Sequence, residues 1–189
     1  FYSGVTSLYD CATRKWTRVA AKGTPPGGTC DWAACYDSKR ERVYVCGGIS
    51  HRPYAPDEGV VGIYDVKTAT WSSPPNSGKH PAVFSTGEKL LASDFSANRI
   101  CLHYDSANDK VVGLVFTLTN PDRRGIYVYD PESGAWGQDV LPPPPAFMDK
   151  KFNFWNCNGF YCPQLNVHLF YRANDGDDLK AYLVALCKE

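Results

Sequence analysis

The sequence has no excess of charge of either sign and no long apolar run. Its 189 residues carry 20 Lys and Arg against 20 Asp and Glu, a formal net charge of zero. Proteins that bind the phosphate backbone of nucleic acids concentrate positive charge on one surface, so we expect no nucleic-acid partner. The longest uncharged apolar run, at residues 111 to 118, is far shorter than the about 20 residues of a membrane helix. We therefore expect no membrane insertion.

The spacings typical of metal sites and of nucleophilic catalysis are also missing. The eight cysteines include no Cys-x-x-Cys pair and no Cys/His spacing of the zinc-finger type. No Gly-x-Ser-x-Gly nucleophile motif occurs. A copper site needs at least two converging imidazoles, but the four histidines are scattered singly, as His51, His80, His103 and His168. We therefore expect no metal and no cofactor, we assign no catalytic residue, and we favour a non-enzymatic role.

The cysteines do not decide the cellular compartment. Their even number permits disulfides, but several of them, such as Cys35 and Cys46, stand in apolar, strand-like runs. A buried thiol in such a run behaves as a small hydrophobic side chain. The redox state of the cysteines and the localisation of the protein therefore stay open.

The feature that the sequence does have is an internal repeat. A Tyr-Asp pair is followed by Trp, seven residues after the Tyr, at three places: Tyr9 and Trp16, Tyr64 and Trp71, Tyr129 and Trp136. The tyrosines are separated by 64 − 9 = 55 and 129 − 64 = 65 residues. Repeats of this length are typical of propeller blades built from four strands.

A second unit lies between the Tyr-Asp-Trp units. Residues 33 to 37, which include Tyr36, are followed by a polar turn and by the apolar residues 43 to 48. Residues 100 to 105 and 111 to 115 repeat this pattern, and residues 159 to 161 and 167 to 171 form a degenerate third copy. These short segments are rich in β-branched and aromatic residues and are bounded by turn formers, which indicates strands. With no helical period in the sequence, we predict an all-β fold.

One full copy of the pattern resembles the kelch repeat of β-propellers. In it, an apolar strand ends at Gly47-Gly48, a variable loop follows, and Tyr64-Asp65 precedes Trp71. The resemblance implies that the glycines end an inner strand and that the Tyr and Trp side chains pack between blades. We therefore expect the three repeat tryptophans to be core residues, and we assign a structural role to all of the repeat residues: Tyr9, Trp16, Tyr36, Gly47, Gly48, Tyr64, Trp71, Tyr129 and Trp136.

The repeat divides the chain into one partial, kelch-like propeller of about three to three and a half blades, with about 13 strands. We predict a half blade at residues 1–22 (strands c and d), blades at 30–79 and 97–145, and an incomplete blade at 153–189 (strands a, b and c). Closed propellers have about 4 to 8 blades, so we expect a segment of a larger propeller. A partner chain that supplies further blades, and closure of a small ring by shared strands, are the alternatives.

The resemblance also suggests where a partner binds. In kelch proteins, loops between strands commonly bind partner peptides, and here the corresponding loops contain a basic and aromatic rim opposite two acidic residues: His51, Arg52, Tyr54, Arg123 and Arg124, facing Asp175 and Asp177. Guanidinium groups bind carboxylates in a bidentate manner, which suits an acidic peptide. The alternative is that these loop residues are simply solvated.

We therefore expect an interaction scaffold whose partner is a protein or the remaining blades of the same propeller. The alternative from a different class is a segment of an extracytoplasmic enzyme or carbohydrate-binding propeller of the galactose-oxidase type.

Overall fold

The computed structural model describes residues 6–25, 29–50, 61–75, 77, 98–117, 125–137, 141–142, 157–172 and 180–184. The strands in these ranges are, in chain order, β1 (Thr6–Asp10), β2 (Lys15–Val19), β3 (Thr29–Asp37), β4 (Arg42–Ser50), β5 (Val61–Asp65), β6 (Thr70–Ser72), β7 (Asn98–Asp105), β8 (Lys110–Thr117), β9 (Gly125–Asp130), β10 (Ala135–Trp136), β11 (Cys157–Cys162), β12 (Val167–Arg172) and β13 (Lys180–Val184).

The strands form four antiparallel sheets in which each strand pairs with its neighbour in the chain. The first sheet is β1–β2, the second is β3–β4–β5–β6, the third is β7–β8–β9–β10 and the fourth is β11–β12–β13. Within the described ranges no residue is helical and no sheet closes on itself. The prediction of an all-β fold is therefore confirmed. None of these residues forms a helix long and apolar enough to cross a membrane.

The aspartate of the repeat is a turn former. Asp10 ends β1, and its Oδ1 accepts hydrogen bonds from the backbone N–H groups of Ala12 at 2.8 Å and Thr13 at 3.3 Å. Asp37, Asp105 and Asp130 accept the corresponding pairs of bonds, and Asp65 accepts one from the N–H of Thr68. Asp side chains favour turns because they can bond to nearby backbone in this way.

The seven-residue offset between Tyr and Trp is the length of one hairpin. A Tyr-Asp pair ends one strand, four turn residues follow, and the returning strand places Trp directly opposite Tyr. The register pairs are Tyr9 with Trp16, Tyr64 with Trp71, and Tyr129 with Trp136. In each pair the ring centroids lie 5.0 to 5.2 Å apart, so the two aromatic side chains pack together on one face of their sheet.

The best-packed core lies between the second and third sheets. β7 lies against β3 and β4 of the second sheet on one side, and against β11 of the fourth sheet on the other. Tyr44 and Cys46 of the second sheet meet Leu102, Tyr129 and Trp136 of the third, all of them buried. The first strands of three successive sheets, β3, β7 and β11, thus lie next to one another in chain order.

Backbone hydrogen bonds also link successive sheets at their outer edges. The N–H of Trp71 donates to the carbonyl of Lys22 at 2.8 Å, and the N–H of Trp136 donates to the carbonyl of Ser77 at 2.9 Å. Lys22 and Ser77 each stand six residues after the Trp of the preceding hairpin. The segment that leaves one sheet therefore bonds to the Trp of the next sheet in the same way at both junctions.

Gly23 makes the first of these junctions possible. It has a φ of 73°, and a Cβ atom at this position would lie 2.1 Å from the carbonyl oxygen of Trp71. Side chains do not tolerate so short a contact, and L-residues rarely adopt this φ. The close approach of the two sheets here therefore requires glycine.

Candidate functional site

The loop residues that the sequence predicts as the binding rim lie outside the described residues. These are His51, Arg52, Tyr54, Arg123, Arg124, Asp175 and Asp177. Gly47 and Gly48 lie within β4, where Gly47 is opposite Trp32 of β3. The basic rim therefore stays a prediction.

The repeat aromatic residues differ in exposure from one sheet to the next. Trp136 of the third sheet is 3% exposed, and Trp71 of the second sheet is half-buried. Trp16 of the first sheet is 71% exposed and Tyr9 is 45% exposed. The expectation that all three tryptophans are core residues is thus wrong for Trp16, because no described sheet covers its ring. We call Tyr9 and Trp16 the first-sheet aromatic face.

The other two aromatic pairs show how such a pair contacts a neighbouring sheet. Each packs against the sheet that precedes it in the chain: the indole N–H of Trp71 donates to Thr6 Oγ1 of β1 at 2.9 Å, and the ring of Tyr129 lies 5.8 Å from that of Tyr44 in β4. Trp71 thus donates its indole N–H to the first sheet and its backbone N–H to the segment that leaves that sheet. A cavity of about 390 Å³ opens at this junction, beside Trp71 and Arg18.

A charged cluster joins the turns of the second and third sheets. Two N–H groups of the Arg40 guanidinium donate to the Asp109 carboxylate at 2.6 and 2.9 Å, and one also donates to Asp37 at 3.0 Å. The hydroxyl of Tyr104 donates to Asp109 at 2.8 Å. The hydrogen bonds from Arg40 hold the pKa of Asp109 well below its ordinary value. Arg40 keeps its charge at any physiological pH, so this junction does not respond to mild acid.

A different cluster joins the third and fourth sheets. His103 Nε2 of β7 lies 2.6 Å from His168 Nδ1 of β12, and His168 Nε2 lies 3.1 Å from Asp105 Oδ2. All three side chains are buried. Burial lowers the pKa of His103 to about 3 and also lowers that of His168, despite the charge of Asp105. Burial acts to raise the pKa of Asp105, but bonds from Asn108 and His168 outweigh it, so the carboxyl is ionised.

The sequence analysis missed this cluster, because it treated the four histidines as isolated. The structure brings His103 and His168 together although they are 65 residues apart. The sequence did contain one indication of this contact: the two histidines stand in strands of successive copies of the repeat, and successive copies are neighbours in space. Within the described part of the chain, no three or more His, Cys, Asp or Glu side chains form a group that could hold a metal ion.

Within the described residues, the features that bear on function are the first-sheet aromatic face, the charged junction at Arg40 and the histidine junction at His103 and His168. No protein-family model matches the sequence, and no curated protein matches it either.

Proposed function

We propose that this protein is an interaction scaffold of the kelch-propeller type, which forms part of a larger propeller and binds a protein partner. The observation that carries the proposal is a difference in exposure: Tyr9 and Trp16 are exposed, whereas the equivalent Tyr129 and Trp136 are buried. The same hairpin is covered by a preceding sheet in one place and uncovered in the other. If a further sheet covered the first-sheet aromatic face, the hairpins of the first and third sheets would have the same surroundings.

The contacts of Trp71 indicate what kind of surface would cover the first-sheet aromatic face. The Trp71 backbone N–H binds a carbonyl, and its indole N–H binds a hydroxyl. By equivalence, Trp16 presents two N–H donors and a large apolar ring to solvent. Its partner would be a β-sheet with an accessible carbonyl and a Ser or Thr hydroxyl near its outer edge. Tyr and Trp are enriched at protein interfaces because they combine a large apolar surface with a hydrogen-bonding group.

The arrangement of the sheets supports the propeller part of the proposal. β3, β7 and β11 are neighbours, and each begins a sheet whose strands run outward in chain order. Radial repetition of four-stranded sheets gives this order in propellers. In this proposal the four sheets correspond to the blades at residues 1–22, 30–79, 97–145 and 153–189, and the loops with Arg123, Arg124 and His51 bind the partner.

The proposal predicts that Trp16 contributes to binding and not to the stability of this chain. We expect Trp16→Ala to change the free energy of unfolding by less than about 0.5 kcal/mol. The matched change Trp136→Ala removes a buried ring, and we expect it to cost about 3–5 kcal/mol. Urea unfolding of the full chain measures both values.

An apolar dye provides the complementary readout. We expect anilinonaphthalene sulfonate to bind the folded chain and the Tyr9→Ser/Trp16→Ser variant to bind it much less. A Trp16→Ala variant as unstable as Trp136→Ala, or dye binding that the double variant does not reduce, would overturn the proposal.

A further inference from the structure

The junction of the third and fourth sheets contains three titratable side chains that the scaffold role leaves unused. Asp105 and His168 are each 1% exposed, and His103 is 5% exposed. Buried ionisable groups are uncommon unless they are paired. The cluster connects β7 to β12, which belong to different sheets, so its protonation state bears on the contact between those sheets.

The hydrogen-bond distances determine where each proton lies. An ionised Asp105 can only accept, so His168 Nε2 carries a hydrogen and donates it to Asp105 Oδ2. His168 Nδ1 is then the acceptor for the N–H at His103 Nε2, 2.6 Å away. His103 Nδ1 is left as a buried lone pair, and it has no hydrogen-bond partner among the described residues.

Only one atom in this series of hydrogen bonds is free to bind an added proton. The proton binds His103 Nδ1 and turns the ring into a buried imidazolium whose new N–H faces no described acceptor. The ring of Phe170 lies 5.1 Å from that of His103, and the Asp105 carboxylate is separated from His103 by the His168 ring. A buried cation with an unsatisfied donor is strongly unfavourable, and opening the junction to water relieves it.

The other titratable groups near the pair do not replace this response. Tyr161 of β11 packs on His168 with 5.0 Å between ring centroids, and its hydroxyl donates to Asn166 Oδ1. Burial raises the pKa of Tyr161, so it stays neutral in acid. Lys110, opposite Asp105 in the register of β7 and β8, donates to Asp130. Cys101 lies two residues before His103 on the same face of β7 and is buried.

We propose that the Asp105–His168–His103 chain is an acid-sensitive joint, in which proton uptake at His103 releases the fourth sheet from the third. The joint between the second and third sheets is the internal control, because Arg40 holds it through a permanent charge. Mild acid therefore opens one joint of the molecule and leaves the other closed. This inference does not depend on the proposed scaffold role.

Hydrogen exchange of the full chain, measured by mass spectrometry between pH 7 and pH 5, tests the joint. After correction for intrinsic exchange, we expect protection in β11 and β12 to fall at least about tenfold per pH unit below about 6.5, because opening exposes His103, and with it His168, whose pKa values burial lowers in the closed state. Protection in β3 and β4 is expected to stay constant over the same range.

His103→Gln separates the joint from a general effect of acid. The Gln amide can still donate to His168 Nδ1 but does not titrate, so we expect the fall of protection in β11 and β12 with acid to become shallower by about tenfold per pH unit, which leaves only the contribution of His168. His80→Gln is the matched control and is expected to keep the wild-type response. Constant wild-type protection down to pH 5, or an unchanged acid response in His103→Gln, would overturn the proposal.

If His103→Gln does not fold, a histidine NMR titration of the wild-type chain decides the same question. Loss of the fourth-sheet amide signals together with protonation of the His103 ring supports the joint. Protonation of His103 while these signals persist contradicts it.

Discussion

At the scale of single residues, the tyrosine hydroxyls near the sheet junctions divide into two kinds. The hydroxyl of Tyr104 donates to Asp109 at 2.8 Å, whereas the hydroxyls of Tyr64 and Tyr129 are buried with no hydrogen-bond partner among the described residues. An unsatisfied buried polar group costs about 1–3 kcal/mol. The aromatic packing between the sheets therefore includes groups that oppose folding.

Replacing Tyr by Phe is therefore expected to have opposite effects on the free energy of unfolding for the two kinds of hydroxyl. Tyr129→Phe removes an unsatisfied hydroxyl and keeps the ring, so we expect it to raise the free energy of unfolding by about 1 kcal/mol. Tyr104→Phe removes a satisfied one and takes a donor from Asp109, so we expect a loss of about 1 kcal/mol. Urea unfolding at pH 7 measures both, and a loss of stability in Tyr129→Phe would show that its hydroxyl has a partner.

At the scale of elements, the hairpin is the unit that sequence reasoning could identify. The Tyr-Asp pair, the four turn residues and the Trp are local, so spacing and turn chemistry were enough to predict strands and an all-β fold. The fourth turn residue has a positive φ in each of the hairpins with Arg14, Glu41, Ala69, Asp109, Gly134 and Asn166. Only one of these is glycine, and this explains why the turns carry no shared glycine signature in the sequence.

Contacts between elements were beyond the sequence pattern. The meeting of His103 with His168 depends on which faces of β7 and β12 oppose each other, and the spacing of single histidines does not encode this. The exposure of Trp16 was missed for the same reason, because Trp16 and Trp136 share the same spacing from a Tyr-Asp pair, and this spacing does not show which sheet covers the ring. Gly23 is a third such case, because its need for glycine comes from Trp71, 48 residues later.

Gly23→Ala tests the junction between the first and second sheets. We expect it to cost about 3 kcal/mol or more, because the Cβ would meet the Trp71 carbonyl at 2.1 Å and the backbone must move. Gly134→Ala is the matched control, since it has a similar φ of 70° but its Cβ would lie 3.7 Å from the nearest atom, Tyr129 Oη. Strain alone then costs about 1–2 kcal/mol. Equal losses in thermal or urea unfolding would contradict the close approach of Gly23 to Trp71.

At the scale of the whole molecule, the first sheet contacts the aromatic pair of the second sheet, and the second sheet covers the aromatic pair of the third. This series of sheets has a buried middle, at the Tyr44–Tyr129 contact, and an open face at Tyr9 and Trp16. An open sheet face with large aromatic side chains favours association. A partner that covers it would also stabilise the chain in proportion to its binding.

The most direct test of association through the first-sheet aromatic face is the native mass of the 189-residue chain, measured by light scattering over a range of concentrations at pH 7. We predict that the wild-type chain associates into multiples of its 21.0 kDa mass as its concentration rises. The Tyr9→Ser/Trp16→Ser variant is predicted to stay at the mass of one chain with an unchanged unfolding midpoint. A wild-type chain that keeps a single-chain mass at every concentration, or a variant that associates as the wild type does, would contradict the account.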